Sequence, residues 1–163
     1  MSAGYDVEQW SDLFVAAAGA SAALAGLVFV AVSINLENVL AGAGLPDRAL
    51  ATLTLLLAPL VVSILALIPQ SSTALGVELL VIGLASVAAA TEFTKRSLPP
   101  ETRRSWVLGR TATSIAGTVP YVIAGATLLA ESGGGLYWAV GGMVAGVLGG
   151  VINAWVLLVE IRR

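Results

Sequence analysis

The chain has 163 residues, 58% of them apolar and 11% charged, with a formal net charge of −2 and a mean hydropathy of +0.94. A water-soluble domain carries about 25% charged residues, so this composition excludes a disordered chain and a soluble globule and leaves an all-α integral membrane protein. With no cysteine and no histidine, disulfides, thiol or imidazole catalysis, haem ligation by His or Cys and zinc sites on nitrogen or sulfur are excluded as well, and the negative balance offers nothing to nucleic acid.

The first apolar run covers residues 12–35, enough for a bilayer-crossing helix, which needs about 20 such residues. Small residues recur on it every four positions: Ala18, Ala22 and Gly26 in one row, Gly19 and Ala23 in another. Such rows let helix backbones approach closely, a main source of helix association in lipid. The stretch Gly19-Ala20-Ser21-Ala22-Ala23-Leu24-Ala25-Gly26, continuing through Val28-Phe29-Val30 to Ser33-Ile34-Asn35, resembles the opening helix of a largely uncharacterised group of small bacterial polytopic membrane proteins. Some of that group are labelled modulators of a membrane-bound AAA protease. The resemblance implies a regulatory role and carries no catalytic residue across.

Gly42, Gly44 and Pro46 lead into a second run, residues 49–68, which contains Pro59. The loop Pro69-Gln70-Ser71-Ser72 separates it from a third, residues 73–93. Glu78 is the one carboxylate clearly inside a span, and an ionisable group within the bilayer is a functional candidate. Ser63 lies at its depth as an expected partner; the alternative is that Glu78 reaches outward to the head groups. Glu92 with Lys95 and Arg96 reads as a helix-surface ion pair. The segment from Pro100 to Trp106 reads either as a short interfacial helix with lipid-facing arginines or as a stop-transfer charge cluster.

The fourth run, residues 107–130, is the most polar. Thr111, Ser114, Thr118 and Tyr121 share one helix face, and Pro120 permits a kink beside them. That stripe suits a solute pathway; alternatively its hydroxyls bond their own backbone or a neighbouring helix. Beyond Ser132-Gly133-Gly134-Gly135, the fifth run, residues 136–160, carries Gly142, Gly146 and Gly150 four apart, with Gly141, Ala145 and Gly149 alongside, a strong signal for tight packing. Antiparallel pairing of the last two runs sets Ser114 against Asn153 and Gly117 against Gly150, and brings Arg110 near Glu160. Asn153 is expected to face protein, because an unpaired amide in hydrocarbon costs a few kcal/mol. Pro59 and Pro120, each ten or eleven residues after an arginine, hint at a duplicated hairpin preceded by a lone helix.

Five spans place all eight basic residues on one side: Arg48, then Lys95, Arg96, Arg103, Arg104 and Arg110, then Arg162 and Arg163. The positive-inside rule makes that side cytoplasmic. The expected architecture is therefore a single five-helix transmembrane domain over residues 1–163, in the inner (cytoplasmic) membrane, N-terminus outside and C-terminus inside. No nucleophile elbow, phosphate loop or dinucleotide fingerprint appears, so no enzyme, cofactor or metal is expected. The expected function is that of a small, self-associating inner-membrane protein, a channel or carrier for an ion or small solute through Glu78, the span-four stripe and Asn153. Helix packing would run through Gly19, Ala23, Gly142, Gly146, Gly149 and Gly150, with membrane lipids and a second copy as partners. The alternative is an accessory or regulatory subunit packed against a larger membrane complex.

Overall fold

The computed structural model describes residues 3–97 and 104–161, in which six α-helices and two short 3₁₀ turns occur and no strand. The helices are α1 Ser11–Ile34, α2 Leu36–Ala41, α3 Leu45–Ala66, α4 Ser72–Arg96, α5 Arg104–Leu129 and α6 Leu136–Ile161. Five of them, all but α2, are long and apolar enough to cross a membrane. The segment from Leu98 to Arg103, the Glu160 side chain and the two terminal arginines lie outside the described residues, and with them the interfacial-helix and Arg110–Glu160 expectations.

Local chemistry explains the helix ends. Asn35 leaves helical geometry (φ −111°, ψ 26°), and its side-chain amide donates to the Ala31 carbonyl at 2.8 Å, ending α1. The six-residue α2 then turns the chain, a piece too short to give a span signal. Gly44 takes φ +75° at the N-cap of α3, and Pro46 follows at a first-turn position where its missing N–H costs nothing. At the start of α4 the Ser71 hydroxyl accepts from the Ala74 N–H at 3.2 Å. The α5–α6 turn needs positive φ at Gly133, Gly134 and Gly135 in succession, a path that side chains disfavour.

Helices α3, α4, α5 and α6 close a ring, each packing on the next and α6 returning to α3. The most apolar stretch of α3 is the most buried of the five. Helix α1 stands outside the ring, against α3, with only a light touch on α6. This is a four-plus-one arrangement. One stripe holds α1 in place: Phe14, Ser21, Ala25 and Val28, spaced seven, four and three. The main core gathers Phe14, Val62, Leu75, Leu79, Tyr121 and Met143 from five helices.

The two ends of the bundle differ in chemistry. At one end the N-terminal turn packs on the glycine loop: the Gly134 N–H donates to the Tyr5 hydroxyl at 3.0 Å, and Trp10 meets Tyr137 edge-on with ring centroids 4.8 Å apart. Trp138 donates from its indole N–H to the Gly133 carbonyl at 2.9 Å. At the other end lie the α2–α3 turn, the C-terminus of α4 and the N-terminus of α5; Gly44 sits against the Ser97 backbone there. Arg48, Lys95, Arg96, Arg104 and Arg110 all belong to this second end.

Candidate functional site

Glu78 lies in the second turn of α4, half-buried, and its Oε2 accepts from the Gln70 side-chain amide at 2.8 Å. The same amide nitrogen donates at 2.9 Å to the Leu65 carbonyl in the last turn of α3, which also accepts from the Ile68 N–H. Ser63, the expected partner, does not meet Glu78, and its buried hydroxyl makes no hydrogen bond. Gln70, in the connecting loop, holds the carboxylate instead. Glu78 thus ties the α3–α4 turn, and its variants separate that role from a proton-carrying one. Glu78→Leu is expected to lose about 1 to 2 kcal/mol of stability by leaving Gln70 half-satisfied, and Glu78→Gln less than half of that. Thermal melting of the purified variants checks this; equal losses would show that the hydrogen bond is not the reason.

The hydroxyl stripe of α5 is absorbed by packing. Ser114 and Thr94 of α4 share a hydrogen bond of 3.0 Å, and the Thr118 hydroxyl donates to the Ser114 carbonyl at 2.6 Å. Both residues are buried, as is Tyr121, whose ring lies against Gly142. The stripe therefore faces the α4 and α6 seams. Thr111, a turn nearer the arginine end, is half-buried. Asn153 is not the partner of Ser114, and Gly117 faces Gly146 instead of Gly150, a register about one turn different from the symmetric pairing across the loop.

The glycines of α6 form the centre of the ring. A methyl group built on Gly146 would lie 2.9 Å from the Leu55 carbonyl oxygen and 3.4 Å from Pro59 Cγ, and one on Gly117 would lie 3.0 Å from Gly146 Cα. Pro59 has no N–H, so the Leu55 carbonyl lacks its usual donor one turn on. The bare Cα of Gly146 comes against that oxygen, at the point where α3, α5 and α6 meet. Gly142 faces Tyr121 and Pro120, Gly149 faces Thr113, and Gly150 faces Leu56. The neighbouring Gly141 meets nothing.

A second glycine seam joins α4 to α5 and escaped the sequence reading. Gly83 lies under the Val122 backbone, while Gly76 and Gly125 face each other. Its signal is present as Gly76, Leu79, Gly83, Ser86, Ala90 and Thr94, a three-and-four spacing that mixes large and small residues and so hides the small ones.

Gly19 and Ala23 differ from the α6 glycines. Both face outward from α1, on the side opposite Phe14 and Val28, and a methyl group on Gly19 or Gly26 would meet nothing within the chain. Neither packs within the chain; α1 meets the bundle through Phe14, Ser21, Ala25 and Val28 instead. Between α1 and α6 run two apolar grooves, one lined by Leu13, Ala20, Val140 and Val147, the other by Leu24, Val28, Val151 and Trp155.

Asn153 lies instead in a cleft of about 420 Å³ at the arginine end, beside Arg48, Arg110, Thr113, Ile152 and Val156. Among the described residues no group of three or more carboxylates gathers at one point. Compared with protein-family models, with curated proteins and with solved structures, the chain matches none.

Proposed function

We propose that this chain is a five-span protein of the inner (cytoplasmic) membrane, N-terminus outside and C-terminus inside, that works by assembling with a second copy and not by catalysis. The observation that carries the reading is the outward face of α1. Gly19, Ala22, Ala23 and Gly26 form a small-residue strip along a helix that only one side of the ring holds. Lipid tails fill such a strip poorly, and a second backbone fills it well. The one-ended basic residues support the orientation. Conduction along α5 draws less support, because Ser114 and Thr118 already use their hydroxyls within the bundle. A second reading, an accessory subunit with regulatory action as the resemblance of the first span implies, uses the same α1 face with a different partner.

The absence of cysteine makes single-cysteine variants clean probes. Ala23→Cys is expected to cross-link into a dimer in native membranes, Gly19→Leu to lower that yield several-fold while leaving the monomer fold intact, and Ser132→Cys to label from outside the intact cell. Cross-linking of Ala23→Cys to a different membrane protein would replace the homo-oligomer by the accessory reading. No cross-link at all would remove α1 as an interface, and labelling of Ser132→Cys only after permeabilisation would reverse the orientation.

A further inference from the structure

The cleft at the arginine end has the chemistry of an anion site. Its polar lining comes from three different helices: Arg48 from the first turn of α3, Arg110 from α5 and Asn153 from α6. Arg48 is only 7% exposed, which is unusual for an arginine and places its charge beside the cleft instead of in bulk water. A guanidinium has five N–H donors, so each arginine can hold a contact within the fold and still offer donors to a phosphate. The Asn153 amide makes no hydrogen bond within the described chain and lies half-buried at the cleft wall. An amide at that depth needs a polar partner. Thr113 supplies shape and no proton, because its hydroxyl already donates to the Gly109 carbonyl at 2.8 Å.

Depth and surroundings narrow the ligand. Arg110 is six residues into α5, about 9 Å along the helix from its start at 1.5 Å per residue. That is the level at which a span leaves the head-group region for hydrocarbon. Gly109 leaves the cleft open on the α5 side, where a methyl group would meet nothing, and Ile152 presents an outward apolar surface next to it. A charged, hydrogen-bonding pocket bordered by an apolar flank suits a phosphodiester that carries acyl chains better than a small soluble anion. Basic pockets between spans on the cytoplasmic side hold such head groups.

We propose that the Arg48–Arg110–Asn153 cleft binds the phosphodiester head group of an anionic phospholipid from the cytoplasmic leaflet. The inference rests on the membrane-spanning reading of the five helices and is independent of assembly through α1.

The test is a melting-temperature titration of the full chain in neutral detergent with phosphatidylglycerol, phosphatidylcholine or inorganic phosphate, since a ligand that binds the folded state raises its melting point. Phosphatidylglycerol is expected to raise it saturably and phosphatidylcholine to leave it unchanged. Arg110→Gln and Asn153→Leu should each weaken the phosphatidylglycerol effect at least tenfold, and Lys95→Gln, a loss of charge at the same end outside the cleft, should not. If Arg110→Gln fails to fold, Asn153→Leu and the wild-type comparison of the two lipids still decide. Equal response to both lipids, or equal loss in Lys95→Gln and the cleft variants, would overturn the proposal. A full response to inorganic phosphate alone would replace the lipid by a free anion. Carbonate extraction of native membranes keeps the two readings apart. A chain released by it fails the membrane reading, and one that stays embedded yet ignores lipid charge fails only this one.

Discussion

Gly146→Leu is expected to lose about 3 kcal/mol of folding stability or more, while Gly141→Leu, five residues earlier on the same helix, stays within about 0.5 kcal/mol of the parent. The difference follows from what each position faces. At Gly146 the new Cβ alone would lie 2.9 Å from the Leu55 carbonyl oxygen and 3.6 Å from that of Gly117. Both are backbone atoms, so no side-chain rotation makes room, and α6 must move away from α3 and α5 together. Gly141 meets nothing within the chain. Leu148→Ile, at an outward position, should likewise be tolerated. Denaturant or thermal unfolding of the three variants in one detergent makes the comparison, and similar losses for Gly146→Leu and Gly141→Leu would mean that the three-helix junction does not hold the ring.

The contrast between these two glycines also marks where sequence reading stops. The spacing of Gly142, Gly146 and Gly150 makes a packing surface legible without coordinates, because four-residue spacing on a helix has one geometric meaning. What the surface packs against depends on crossing angles and on which helices close the ring, and neither is written in the spacing of one helix. The same gap explains Ser114. Its face on α5 is legible, but its partner turns out to be Thr94 of the preceding span, not Asn153 of the following one. On α1 the small residues are just as visible, yet the fold turns Gly19, Ala22, Ala23 and Gly26 outward and buries Ser21 and Ala25 with Phe14 and Val28. The five long apolar helices and their order are legible because length and apolarity decide them. Glu78 stood out as an ionisable residue, but Gln70, a loop residue with no periodic signal, decides what its carboxylate does. The lining of the arginine-end cleft was invisible as a unit, because Arg48, Arg110 and Asn153 lie far apart in the sequence and converge only when α3, α5 and α6 pack.

Gly125→Leu should match Gly146→Leu in severity, at about 3 kcal/mol, because it strikes the other close seam of the ring. A methyl group on Gly125 would lie 2.7 Å from both the Gly76 carbonyl oxygen and the Leu80 backbone nitrogen, and one on Gly76 would lie 3.3 Å from the Gly125 carbonyl oxygen. The two glycines thus guard one contact from opposite sides. That geometry fixes how their alanine variants combine. Either Gly76→Ala or Gly125→Ala forces α4 and α5 apart at the same point, at an expected cost of about 1 to 2 kcal/mol each. Once one methyl has opened the seam, the second enters space already made, so the double variant should lose less than the two single losses added, by about 1 kcal/mol. Gly83→Ala lies two turns from Gly76, under the Val122 backbone, and its loss should combine with that of Gly76→Ala more nearly additively. Double-mutant cycles on melting free energies read both pairs. Full additivity for Gly76 and Gly125 would mean that α4 and α5 yield locally at each site, so that the seam is soft where the fold makes it narrowest.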